Sequence, residues 1–333
     1  MYYDVVIIGS GPAGLKCAED LASTNFQVLL IEKNLVIGPK TCGGGLTELN
    51  KDYSFPQEKL LGFNEQIINL NGREYRIKLK NPLQTIDRYD LGQYQLAKIE
   101  NCPNIIIKRE TTVTQIFNDH LITDKNENIA FKYLIGADGV NSLVRKYLGL
   151  KTKIMMGVQY IIPQKYQQMI WFLNPHLIKT GYGWIFPHLN FISAGVFYDP
   201  KIVEPLAAKT ALHNFLDQYL IDYHNAAFEA APINYFYQGH CFSNIFLVGG
   251  AAGLTSKNTG EGISAALTSG AETVKYLLNN RYRFPKLKRI LRLNKRKEVI
   301  LNIFNRLPLL QTLLFKIFIR LLRRHFFQKF YGN

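Results

Sequence analysis

The chain has 333 residues, 47% hydrophobic and 20% charged, a balance that suits about two folded domains and excludes a disordered polypeptide. Four cysteines (Cys17, Cys42, Cys102 and Cys241) with no CxxC pair and no Cys/His cluster exclude a disulfide scaffold and a zinc centre. They point to a reducing, cytoplasmic compartment, and no secretory leader is read at the start.

The net charge of +15 is lopsided, because residues 281–333 hold 15 Lys/Arg and one acid while the rest of the chain is nearly neutral. An anionic partner is therefore expected at the tail and not at the body. No nucleic-acid reading motif accompanies the charge, so no nucleic acid is expected as a partner.

In chain order, Tyr3-Asp4-Val5-Val6-Ile7-Ile8 predicts a strand buried on both faces. It enters Gly9-Ser10-Gly11-Pro12-Ala13-Gly14 and then Leu15–Ala22, whose apolar residues have helical spacing. A second β-rich run, Gln27–Ile31, ends in Glu32-Lys33. Strand, glycine turn, helix, strand and acid within about thirty residues make a dinucleotide-binding βαβ unit. Gly9 permits the tight turn, Gly11 lets backbone approach a pyrophosphate, and Gly14 lets helix and strand pack closely. The N-terminus of the following helix presents free N–H groups to the phosphates. Glu32 is placed to accept from the adenosine ribose and disfavours a 2′-phosphate, so FAD or NAD is expected.

Next comes Lys40-Thr41-Cys42-Gly43-Gly44-Gly45, where three glycines let backbone pass close to a flat ligand. Arg88 follows in Asp87-Arg88-Tyr89-Asp90-Leu91. Tyr133–Gly139 is another buried strand entering a glycine turn with Asp138, followed by Ser142, Arg145 and a helix. Tyr182, Trp184 and Phe186 alternate along a predicted strand, so they share one face. Trp171, Phe172, Phe191 and Phe197 are candidates for the same sheet, and His176, His188 and His224 lack metal-ligand spacing. Ile245–Gly253, containing Gly249 and Gly250, is a strand and turn. It leads through Gly260-Glu261-Gly262-Ile263 into a small-residue helix, Ser264–Thr273.

The tail opens with the cationic run Arg281–Lys297 and continues as a predicted helix, Leu309–Phe330. Thr312, Lys316, Arg320, Arg323, Arg324 and Gln328 form a polar stripe on an otherwise apolar circumference. Lys316 and Arg320 interrupt any stretch of the roughly 18–20 apolar residues that a bilayer span needs. Two readings stand: a helix lying in a membrane interface, or one docked on the body with its charges in solvent.

These blocks together resemble the FAD-dependent oxidoreductases of the geranylgeranyl reductase family, which share the fold of para-hydroxybenzoate hydroxylase. GSGPAG (9–14), CGGG (42–45), GADGxxSxVR (136–145), the Gly181–Pro187 aromatic strand and GGAAG…GEGI (249–263) occur in the family's order, and within it the chain looks most like the CbrA-like proteins. The resemblance implies an α/β architecture with a discontinuous, Rossmann-like FAD-binding domain (1–50, 85–150, 240–280). A second α+β substrate domain (51–84, 151–239) would carry a mainly antiparallel sheet over the flavin, with a helical tail at 281–333.

Under the same resemblance, the cofactor-binding set is Gly9, Gly11, Pro12, Ala13, Gly14, Glu32, Lys33, Gly43, Gly44, Arg88, Asp138, Gly249, Gly250, Gly260, Gly262 and Ile263. Cys42, Tyr182 and Trp184 are expected at the reacting carbon. The chain departs from the pattern at Gly250, where most relatives carry an acid. It departs also at Lys257-Asn258, where many have a proline and a small or apolar residue, and at Lys179, where the pattern has a proline. The implied reaction is reduction of a carbon–carbon double bond of an isoprenoid or other apolar substrate by hydride from reduced flavin. The electron donor would be external, NAD(P)H or ferredoxin-type, and the protein cytoplasmic, with a place on the inner membrane face through its tail. The same residues leave open an FAD-dependent aromatic hydroxylase, or a weakly or non-catalytic flavin- or lipid-binding protein.

Overall fold

The computed structural model describes residues 1–47, 53–324 and 328. Residues 48–52, within the expected domains, and residues 325–327 and 329–330 of the expected last helix lie outside the described residues. Strand β1 (Tyr2–Ile8) buries Val5 and Ile7 on one face and Val6 and Ile8 on the other, which is why its sequence is apolar without alternation. Helix α1 (Pro12–Leu21) opens with proline at its first position, where the missing N–H costs nothing, and β2 (Val28–Ile31) returns beside β1. The two-residue β3 (Gly45–Leu46) precedes a long hairpin, β4 (Leu61–Leu70) and β5 (Arg73–Thr85), which turns through left-handed Asn71 and Gly72. Asp87 caps α2 (Arg88–Ala97) by accepting the Tyr89 N–H.

Strands β6 (Ile105–Lys108), β7 (Val113–Ile116), β8 (His120–Thr123) and β9 (Asn128–Gly136) lead to α3 (Leu143–Tyr147). Then come β10 (Ile154–Ile162), β11 (Ile170–Leu173), α4 (Pro175–Ile178), β12 (Tyr182–Pro187), β13 (Ile192–Tyr198), α5 (Pro205–Gln218) and β14 (Ala227–Asn234). Short β15 (Cys241–Phe242) and β16 (Ile245–Leu247) bring the chain back to β9. Helices α6 (Ile263–Leu278), α7 (Pro285–Arg306) and α8 (Gln311–Leu322) follow.

The first sheet runs β15–β16–β9–β1–β2–β6, parallel from β16 to β6, with the β7–β8 hairpin added at β9. One face is covered by α1 and α6, the other by the hairpin, Val144 of α3 and the first turns of α7. The second sheet, β14–β10–β13–β12–β11–β4–β5–β3, is antiparallel except where β11 meets β4. Helix α5 covers its outer face. This is the expected α/β architecture with a mainly antiparallel second sheet and a helical end. Trp171 and Phe197 join the aromatic face of β12. Phe172 instead points to the outer face and stacks on Phe215 at 4.5 Å, and Phe191 stacks on His188 outside the strand.

The tail differs in detail from its sequence pattern. The cationic run is itself a helix, α7, whose start is capped by Glu272 of α6. Its Oε1 accepts the Lys286 N–H (3.0 Å) and the Tyr282 hydroxyl (2.6 Å), and its Oε2 accepts the Leu287 N–H (2.8 Å). A 3-10 turn at Pro308–Leu310 separates α7 from α8. Helix α8 lays Phe315, Ile319 and Leu322 on Ile68, Leu70 and Ile77 of the hairpin. Gln328, expected on the polar stripe, is buried: its side chain accepts from Lys80 N–H and donates to Lys78 carbonyl, both at 2.9 Å, closing part of the β5 edge. Among the described residues no helix is long and apolar enough to cross a membrane.

Candidate active site

The first glycine bend is dictated by contact. Gly9 has φ +98°, and a Cβ there would lie 2.6 Å from the Ala137 carbonyl, so β1 and β9 converge only over glycine. A Cβ at Gly14 would lie 2.0 Å from the Gly9 carbonyl, so α1 rests directly on the bend. Gly11 faces open space instead. Buried Glu32 folds back under the bend: Oε2 accepts the Ser10 N–H (2.9 Å) and hydroxyl (2.6 Å), and Oε1 accepts the Asn34 N–H (2.9 Å). Lys33 beside it is exposed.

A cavity of about 380 Å³ collects the separate stretches. Gly11, Pro12 and Ala13 line it together with Ala137, Gly139, Val140, Gly249, Gly250, the 259–263 turn and residues 40–47. Gly9, Gly14, Glu32, Lys33 and Asp138, expected in the cofactor-binding set, are not among the residues that line it. Asp138 caps α3 through Oδ2, which accepts the Leu143 and Val144 N–H groups (2.7 and 3.3 Å). Its Oδ1 is buried without a partner, and burial pushes the carboxyl pKa up. Arg88 is buried on the cavity with a partnerless Nε.

These residues fit a dinucleotide flavin. Two helix N-termini, at Gly11 of α1 and Gly262 of α6, carry no side-chain cap, and both glycines line the cavity. Both offer backbone N–H groups and the positive end of a helix dipole to anionic groups. Arg88, whose Nε has no partner, adds a buried cation. The bare backbone at Gly11 and Gly250 leaves room for close approach.

The opposite wall is aromatic: Trp171, Tyr182, Trp184, Phe186 and Phe197, with Leu83 and Met169 also on the cavity and Phe63 and Met155 in the same cluster. The polar tips of Tyr182 and Trp184 are engaged, while the Trp171 Nε1 is buried without a partner. Tyr182 donates its hydroxyl to Thr259 carbonyl at 2.5 Å, and burial holds its phenol well above the ordinary range. Trp184 Nε1–H donates to Ser193 Oγ (2.9 Å), and Ser193 donates to Gln159 Oε1 (3.0 Å). The wall therefore presents mainly hydrocarbon to the cavity. Half-buried Cys42 lies on the cavity, its Sγ accepting the Gly44 N–H at 3.4 Å.

Buried His188 supports the glycine loop from beneath. Its Nε2 bonds to Gly43 carbonyl (3.2 Å), which requires the Nε2–H tautomer, and burial pushes its pKa down to about 4. Gly44, at φ +70°, passes so close that a Cβ would sit 2.5 Å from the imidazole.

The far end of the cavity comes from residues that no sequence pattern marked. Ile300, Leu301 and Phe304 of α7 and Phe315, Phe318 and Leu322 of α8 line it. Helix α7 is held there by the departures at 257–258. Asn258 donates to Lys297 carbonyl, while Lys257 pairs with Glu298 at 3.6 Å. Thr47 and Glu261 also line the cavity, with the Thr47 hydroxyl donating to Glu261 Oε1 at 2.6 Å. Among the described residues no cluster of His, Cys, Asp and Glu could hold a metal.

Residues 3–162 match the family model of pyridine nucleotide-disulphide oxidoreductases. The geranylgeranyl diphosphate reductase of Rhodobacter capsulatus is 26% identical over 293 residues, covering 81% of this chain and 73% of its own. The digeranylgeranylglycerophospholipid reductase of Methanococcus vannielii is 26% identical over 302 residues, covering 80% and 75%. A geranylgeranyl bacteriochlorophyll reductase-like protein from Thermoplasma acidophilum shares the fold with a TM-score of 0.78, at 19% identity over 97% of this chain and 92% of that one.

Proposed function

We propose that the chain is an FAD-dependent oxidoreductase of the geranylgeranyl reductase family and that it reduces carbon–carbon double bonds of a prenyl-type apolar substrate. The observation that carries this reading is one cavity with two chemistries. Glycines, bare helix ends and Arg88 line one part, and aromatic and aliphatic side chains, with a few amides such as Gln66 and Gln159 among them, line the remainder as far as α7 and α8.

FAD, when bound, supplies the hydride. The protein supplies position and dryness. Gly11, Pro12, Ala13 and Arg88 hold the pyrophosphate, and Gly249, Gly250 and the Gly260–Ile263 turn face the remainder of the cofactor. The wall of Tyr182, Trp184 and Phe186 excludes water and orients an alkene that has no carbonyl to polarise it. Cys42 lies on the cavity with its sulfur accepting the Gly44 N–H. Tyr182, committed to Thr259, holds the turn in place. An aromatic hydroxylase would need a polar pocket for its substrate, and the engaged Tyr182 and Trp184 speak against one.

The substrate enters from lipid. The outer side of α8 and the turn before it expose Leu309, Leu313 and Ile317 beside exposed Lys316, Arg320, Arg323 and Arg324. We assign this surface to an anionic bilayer face on the cytoplasmic side, next to the cavity end between α7 and α8. The reductant is an external NAD(P)H or ferredoxin-type donor.

The test is spectroscopic. Pure protein should show a visible flavin band. After anaerobic photoreduction it should be reoxidised faster by geranylgeranyl diphosphate or a prenylated lipid than by buffer alone. Protein that binds no added FAD, or whose reduced form ignores every prenyl probe, would refute the reading.

A further inference from the structure

We propose that Glu261, on the cavity, supplies the proton that completes the reduced double bond, and that the buried Lys297 of α7, whose backbone is held at the same turn by Asn258, stabilises the carboxylate left behind. The chemistry rests on the reductase reading above; the placement of the two groups does not.

Reduction of an alkene adds a hydride to one carbon and a proton to the other, and a cavity closed to water needs its own proton source. Of the dissociable groups on the cavity, Tyr182 has its hydrogen committed to Thr259 carbonyl, and the Cys42 sulfur is taken up by the Gly44 N–H of its own glycine loop. Glu261 differs. It lines the cavity at the start of α6, and one oxygen, Oε1, is held by the Thr47 hydroxyl at 2.6 Å. Burial pushes its carboxyl pKa up, against the opposing pull of Thr47 and of the Lys297 ammonium. Lys297 is 2% exposed, its pKa pushed down by burial and pulled back up by Glu261. Its backbone is fixed at the same turn by Asn258. The other ionisable groups around the two are Cys42 and Tyr182 from the cavity side and the Lys257–Glu298 ion pair, four residues before Glu261 and one after Lys297.

In the step, the O–H bond of Glu261 breaks and a C–H bond forms at the carbon that does not receive the hydride. The electron pair of the O–H bond stays on the carboxylate, which the Lys297 ammonium and the Thr47 hydroxyl stabilise. Solvent returns the proton after product leaves. Lys297 belongs to the tail, so the C-terminal helix is part of the site and not an appendage.

Infrared spectroscopy of the wild-type protein at neutral pH should show a protonated carboxyl band that shifts in D2O, disappears in Glu261→Gln and persists in Lys297→Met. In FAD-loaded, photoreduced protein offered geranylgeraniol in micelles, Glu261→Gln should slow reoxidation roughly 100-fold, with FAD retention unchanged and partial rescue by Glu261→Asp. Absence of the band, or wild-type reoxidation by Glu261→Gln, overturns the proposal. The infrared arm needs no substrate, so a missing band counts against the protonated Glu261 alone. A wild type that carries the band yet ignores the prenyl probe overturns the proton step together with the reductase reading.

Discussion

Gly250 and His188 show how far single positions control the cofactor end. Gly250 stands where an acid is usual in the family, it lines the cavity, and it is not among the left-handed glycines. A Cβ there would lie 3.5 Å from Gly139 Cα, an ordinary contact, so a side chain fits without rearrangement. A carboxylate hydrogen bond is worth about 1.5–3 kcal/mol. Gly250→Asp should therefore tighten FAD about tenfold or more in a fluorescence titration of the apoprotein. His188 gives a pH dependence instead. Folded, its pKa is about 4 because burial opposes the charge; unfolded, it returns to about 6.5. The unfolded chain thus binds more protons between these values, and stability is full above about pH 6.5 and lost as pH falls toward 4. The loss amounts to about 3 kcal/mol. Urea unfolding at pH 7 and pH 4.5 should show this drop, and His188→Gln should flatten it.

Among the elements, α8 carries a conflict that its amphipathic pattern left open. Its buried side, Phe315, Ile319 and Leu322, docks on the β4–β5 hairpin, which answers the expectation of a helix packed on the body. The docking does not consume its apolar residues, because Leu313 and Ile317 on the other side are 54% and 46% exposed. Apolar side chains on two faces with cations between them are what a helix shared by a protein core and a lipid interface needs. Leu313→Asp combined with Ile317→Asp should release the protein from anionic vesicles in a sedimentation assay by about tenfold or more. Its unfolding midpoint should change little, since neither side chain joins the core. Equal binding to neutral and anionic vesicles would remove the role given to Lys316 and Arg320.

At the scale of the molecule, the site is an intersection. The bend after β1, the turn after β9, the turn after β16 and the CGGG loop come from four distant stretches, and the antiparallel sheet supplies the wall they face. Arg145, 1% exposed, ties this intersection together. Its guanidinium donates to the carbonyls of Lys151, Phe236 and Ala251, so the turn after β16 and the segment following β14 share one anchor. Glycine spacing was legible because a backbone that must touch phosphate or another strand tolerates no Cβ, a constraint local enough to leave a mark in a dozen residues. The apolar runs of β1 and β9 were legible for a similar reason, since both faces of a parallel sheet are buried. Three things were decided only by tertiary packing: the anchoring of α7 at the 257–261 turn through Asn258 and Lys257, the engagement of Tyr182 and Trp184 by Thr259 and Ser193, and the lining of the cavity's far end by α7 and α8. Each depends on which surfaces meet once the sheets have formed, and a charged, apolar helix reads alike in sequence whether it lines a pocket or faces solvent.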